Sequence, residues 1–160
     1  FPPPLSLLGR RAQGNTPFTP AATLILGLKT SLQMLLADGP ETIWSNYARL
    51  ARSTREGVQA VGLELFAKTP SDALTAVKVP DSIDGQEFVQ RLREEYKITV
   101  AGGQAQLKGK IFRVAHMGYY DHLDMVALAS ALELALRDCG WDFELGKLVS
   151  TVQTTYAQSA

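Results

Sequence analysis

The chain has 160 residues, 46% of them hydrophobic and 20% charged, the proportions of one folded domain and not of a disordered tract. Lys and Arg number 16 and Asp and Glu 16, so the whole chain lacks the basic footprint of a nucleic-acid binder. A single cysteine, Cys139, excludes an internal disulfide framework, a Cys-rich zinc site and an all-cysteine iron–sulfur cluster.

Residues 1–18 are rich in Pro and Gly and read as a linker. The chain opens on Phe1, which leads to the expectation of a piece of a longer protein. Arg10-Arg11 follow the apolar opening instead of preceding it, so no secretory signal is expected. The apolar run 21–37 is interrupted by Lys29 and Gln33 and falls short of the roughly 20 residues a membrane span needs. A cytoplasmic or plastid-stroma location follows as the expectation.

From Ala21, the residues Leu24, Leu28, Leu32, Leu35 and Leu36 recur at helical spacing, with Thr19-Pro20 as the expected N-terminal cap and Gly39-Pro40 as the stop. A second helix is predicted over 41–61, with Ile43, Trp44, Tyr47, Leu50, Val58 and Val61 turned toward one side and Arg49, Arg52, Arg55 and Glu56 toward the other. Past Gly62 the period changes. Short strands are predicted at 63–67 and 73–79 around the turn signal Thr69-Pro-Ser-Asp72. A helix starts at Asp84 with Phe88, Val89, Leu92 and Tyr96 on its buried face. Strands at 98–100 and 110–116 flank a glycine-containing loop, and an apolar helix spans 121–138, closed by Gly140. Residues 143–160 have weak periodicity and read as a helix or a disordered end. The order predicts an α+β fold: two N-terminal helices, then a small, mostly antiparallel sheet of about four strands with helices on one face.

Candidate chemistry is sparse. In Gly109-Lys-Ile-Phe-Arg-Val-Ala-His-Met-Gly118, alternation places Ile111, Arg113 and Ala115 on one face and Phe112, Val114 and His116 on the other. Arg113 is either a surface arginine, in solvent or paired with a local acid, or a planar fork that binds a ligand carboxylate through two hydrogen bonds. Gly102-Gly103 and Gly109 bracket a loop that either only turns or lets backbone approach a ligand closely. Thr16 and Thr19 precede a helix start, where Thr19 caps the helix or an anion is held. His116 and His122, with Asp121 or Asp124, are too few for a metal centre, and none is expected. Cys139, at a helix end, reads as structural. No GxSxG elbow and no carboxylate pair is present, so the motifs alone describe a binding or accessory domain.

Taken together, Thr16-Pro-Phe-Thr-Pro-Ala21 before a long helix, Gly102-Gly103 after a short strand, and the Gly109–Gly118 block before the last strong helix resemble a known family. The resemblance is to the C-terminal part of class V aminotransferases of the alanine–glyoxylate and serine–glyoxylate type. These are fold-type I enzymes dependent on pyridoxal 5′-phosphate (PLP). Within that family the chain is similar to the cyanobacterial-type proteins labelled small subunit of soluble hydrogenase. The likeness covers residues 14–138.

The resemblance implies that residues 1–18 lead from a large domain, that 19–140 form the small domain, and that 141–160 are a tail. It implies that Arg113 binds the carboxylate of the amino donor and of the 2-oxo acid acceptor. Thr19 would reach the phosphate of PLP held by the neighbouring subunit of a homodimer. Thr16 stands near the place where relatives carry a tyrosine for the same phosphate, a departure from the pattern. The family carries PLP on a lysine in a Ser/Gln-Lys context. None of Lys29, Lys68, Lys78, Lys97, Lys108, Lys110 and Lys147 stands in one, so that lysine is expected in a large domain preceding Phe1. The implied reaction moves an amino group from alanine- or serine-like donors to a 2-oxo acid such as glyoxylate, with this chain inactive alone. Nucleic acid and membrane are not expected partners. The alternative is a regulatory or subunit-interaction domain, including one associated with a hydrogenase, although one cysteine cannot hold the clusters of that chemistry.

Overall fold

The computed structural model describes residues 19–159, and the chain divides into two units between Ile43 and Trp44. In the first, α1 (Ala22–Asp38) begins where the Ala22 N–H donates to the carbonyl of Pro20 at 2.8 Å. Its cap is Ala21, which has no side-chain acceptor, so the expected cap by Thr19 is corrected: the helix starts too late for that hydroxyl to reach its first N–H groups. Apolar residues surround α1 and none of them is buried. Gly39, at φ 84°, donates its N–H to the carbonyl of Leu35 and ends the helix. Pro40 then occupies the first position of α2 (Pro40–Ala60), where its missing N–H costs nothing. This helix crosses the division.

In the second unit, α2 buries Leu50, Ala51, Ser53, Thr54, Gly57 and Val58. There follow β1 (Leu74–Lys78), α3 (Gly85–Glu94), β2 (Ala101–Gly102), β3 (Ile111–Ala115), α4 (His122–Asp138) and α5 (Lys147–Gln158). The three strands form an antiparallel sheet in the order β1-β3-β2. Thr75 faces Val114 and Val77 faces Phe112 across the β1–β3 ladder, and all four side chains are buried. Phe112 meets Phe88 of α3 with ring centroids 5.4 Å apart. Met125, Leu128, Leu132 and Leu136 of α4 continue this core.

The helix starts are specified locally in two cases. Asp84 accepts from the N–H groups of Gln86 and Glu87 at the head of α3. Asp121 and Asp124 form a reciprocal capping box on α4. The start of α5 is specified from a distance: its cap position is Gly146, with no side chain, and the buried Glu133 of α4 accepts from Gly146, Leu148 and Val149 at 2.9, 2.7 and 3.3 Å. Where α5 crosses α2, Gly57 leaves no room for a side chain, since an added Cβ would lie 2.6 Å from Val152.

The sheet has three strands where about four were expected. The 63–67 segment is reduced to one bridge, Leu65 with Val77, because only two backbone bonds hold it to β1. The 98–100 strand is displaced to Ala101–Gly102. Ile98 gives its N–H to the carbonyl of Leu92, and Lys97 has φ 59°, so the chain is still turning off α3 and pairs only afterwards. Of the two outcomes open for 143–160, the structure has the helix. Leu148 and Val152 of α5 belong to the core.

Candidate functional site

Alternation along β3 is as expected: Phe112, Val114 and His116 are buried, and Arg113 projects from the other face. The strand is central in the sheet, and Arg113 lies between Ala76 of β1 and Ala101 of β2. The side chain is half-buried. One terminal nitrogen donates to the carbonyl of Gly102 at 3.0 Å, while Nε is buried with no protein partner. Nε of Arg49 and of Arg91 is likewise buried without a protein partner, so what sets Arg113 apart is its place on the central strand beside open space.

Beside Arg113 lies a groove of about 410 Å³, bordered by Thr99, Ala101, Ala115, Tyr120 and Asp124. It exists because β2 is only two residues long and the preceding turn carries the chain away from the end of β3. Lys97 also borders the groove, but its Nζ donates to the carbonyl of Glu94 at 2.6 Å. The glycine pair after β2 is required by space: a Cβ on Gly103 would lie 1.9 Å from the carbonyl oxygen of Leu107. That close approach packs the loop against itself and brings Gly102 under Arg113.

Neither histidine nor Cys139 borders this groove. His116 is fully buried and bonds to Thr75, and burial pushes it down to about 4 from its ordinary 6.5, so it is neutral at neutral pH. His122 stacks on Tyr156 at 4.1 Å. Among the described residues no group of three or more His, Cys, Asp or Glu could hold a metal ion, and no helix is long and apolar enough to cross a membrane. Burial raises the Cys139 thiol above its ordinary value, which leaves little thiolate. Thr19 is exposed in the first unit, and Thr16 lies outside the described residues. Sequence reasoning placed Arg55 on the outer face of α2, yet it is half-buried and bonds to Thr75. It also missed Glu133 as the acceptor for α5.

No protein-family model matches the chain. Individual proteins do. A serine–glyoxylate aminotransferase of Hyphomicrobium methylovorum is 34% identical over 151 residues, covering 92% of this chain and 37% of that protein. A soluble hydrogenase small subunit of a Synechococcus strain is 39% identical over 132 residues, 81% of this chain and 34% of that protein. The crystal structure of pyridoxamine–pyruvate aminotransferase from Mesorhizobium loti superposes with a TM-score of 0.85 at 32% identity, over 90% of this chain and 38% of that one. The chain is a homologue of one part of the class V aminotransferases. It spans about a third of the length of the curated relatives it matches.

Class V enzymes work with PLP, and the described residues do not by themselves build a site for it. The one lysine bordering the Arg113 groove, Lys97, is held by a backbone carbonyl, and Thr19 stands exposed in a separate unit.

Proposed function

We propose that this chain is the carboxylate-binding portion of a PLP-dependent class V aminotransferase, and that the cofactor and its lysine are held by a large domain outside these 160 residues. The observation that carries the reading is Arg113: a half-buried guanidinium on the central strand, with Nε buried and unpartnered at the edge of a groove. A carboxylate offers two oxygens at the spacing of the guanidinium fork, supplies the missing acceptor, and neutralises the charge. Its role is to bind and orient the carboxylate of an alanine- or serine-like donor and then of a 2-oxo acid such as glyoxylate or pyruvate. Fixing that group limits how the reacting carbon can present itself. Thr19 contributes to the cofactor phosphate of the neighbouring subunit in a homodimer. The chain alone is inactive, because it supplies carboxylate binding and no cofactor lysine.

The experiment compares this chain alone with a polypeptide that joins it to the PLP-binding region of a class V relative. Alanine–glyoxylate and serine–glyoxylate transfer are assayed, and PLP binding is read from absorbance near the visible edge. The joined protein should bind PLP and transfer the amino group, and the chain alone should do neither. Activity in the chain alone, or its absence from a folded, PLP-loaded joined protein, would contradict the reading.

A further inference from the structure

A second polar feature lies under the sheet, on the face away from Arg113, and the carboxylate reading makes no use of it. Arg55 of α2 donates from its terminal nitrogen to the carbonyl of Ser71 at 2.7 Å and to the carboxylate of Asp72 at 3.0 Å. Its Nε donates to the hydroxyl of the fully buried Thr75 at 3.3 Å. The same hydroxyl lies 2.9 Å from Nε2 of the fully buried His116. A hydroxyl has one proton. The Thr75 oxygen accepts from Arg55, and among the described residues His116 Nε2 is the one acceptor within reach of its proton, so the O–H is directed to Nε2. The imidazole is then neutral, with its proton on Nδ1, a buried nitrogen to which no described residue offers a partner.

The backbone closes the same circuit. The His116 N–H donates to the carbonyl of Ala73 at 3.0 Å, and the Ala73 N–H to the hydroxyl of Ser71 at 3.1 Å. Four pieces of the chain are tied at one point: α2, the turn before β1, β1 itself and the end of β3. Directly after His116 come Met117 to Tyr120, where the Gly118 N–H reaches the Tyr47 hydroxyl at 3.5 Å. Tyr120 borders the Arg113 groove.

We propose that Arg55, Thr75 and His116 form a directional hydrogen-bond relay that positions the end of β3 and the loop beside the Arg113 groove. The relay runs from the permanent charge of Arg55 through one hydroxyl to a neutral imidazole, so it has a single sense and a single tautomer. The charges acting on His116 are Arg55 from α2, which opposes protonation, and Asp72 from the turn, which favours it; burial reinforces Arg55. These contacts lie within this chain, and the relay stands whether or not Arg113 takes a carboxylate.

The test uses the 160-residue chain and nuclear magnetic resonance at pH 7. In the wild type, the His116 ring nitrogens should report a protonated Nδ1 and a bare Nε2. Thr75→Val keeps the shape and removes the hydroxyl. It should break the single-tautomer signature, speed amide exchange at residues 115–118 about tenfold relative to Phe88 and Leu92 of α3, and shift the Arg113 Nε signal, which neither residue touches. Thr75→Ser should restore all three. If Thr75→Val proves too unstable to measure, Arg55→Met should give the same loss of tautomer preference with Thr75 intact. A protonated Nε2 in the wild type would overturn the relay. So would a Thr75→Val or Arg55→Met protein in which residues 115–118 and Arg113 Nε behave as in the wild type, or in which all amides speed equally.

Discussion

Replacing His116 with glutamine removes a buried group whose protonation the fold resists. In the native chain its pKa lies at about 4, against an ordinary 6.5, because burial and the charge of Arg55 disfavour the imidazolium. The unfolded chain therefore binds more protons than the native one between these two values, and stability rises with pH across that window. Worked the other way, the contribution is fully present above 6.5 and is lost as the pH falls through about 4. The difference corresponds to about 3 kcal/mol. The assay is urea unfolding of the wild type and His116→Gln at intervals from pH 4 to pH 7. Carboxylates titrate in both proteins and cancel in the comparison, so the wild-type advantage should grow by about 3 kcal/mol over that range. A gap that stays constant with pH would refute the reasoning, since it would mean that His116 titrates alike in both states.

Glu133→Gln should cost about 2–4 kcal/mol and preferentially expose α5, because three N–H groups at its start lose a charged acceptor; urea midpoints and amide exchange in α5 measure this. Gly103→Ala drives a Cβ to 1.9 Å from the Leu107 oxygen and should destabilise by about 2–4 kcal/mol in thermal unfolding. Gly140→Ala has open space and only an unfavourable φ, so it should lose about 1 kcal/mol. The exposed apolar residues of α1 should make the chain self-associate as concentration rises in sedimentation velocity, and Leu28→Glu with Leu32→Glu should reduce this. A wild type that sediments as a monomer at high concentration would contradict it.

What could be read in advance was local. Asp84 and Asp121 announce the starts of α3 and α4 through short-range caps, and the alternation around Arg113 follows from the pleat of a strand. Distant couplings were not legible. Glu133 serves a helix that begins beyond Gly146, and no periodicity links the two. Arg55 sits on the polar side of α2 by pattern, yet the turn at Ser71 and Asp72 folds over it and draws it in. The 63–67 and 98–100 segments have the composition of strands. Whether they pair depends on the chain leaving α2 and α3, and Lys97, with a positive φ, delays pairing until Ala101. Thr19 looked like a cap because hydroxyl–proline often begins a helix, but the first helical residue here is Ala22. For Arg113, the sequence left a solvent arginine and a carboxylate fork both open. Its central strand, buried Nε and adjacent groove are three-dimensional facts.

The central claim is tested most directly by steady-state kinetics of Arg113→Ala and Arg113→Lys in the joined aminotransferase, with alanine and glyoxylate as substrates. The account predicts that Arg113→Ala lowers kcat/KM by roughly 30- to 1000-fold, the equivalent of losing about 2–4 kcal/mol from a charge-assisted pair. Lysine should rescue little, since a point charge cannot replace two parallel donors. Wild-type kinetics in the alanine variant would show that the carboxylate is held elsewhere.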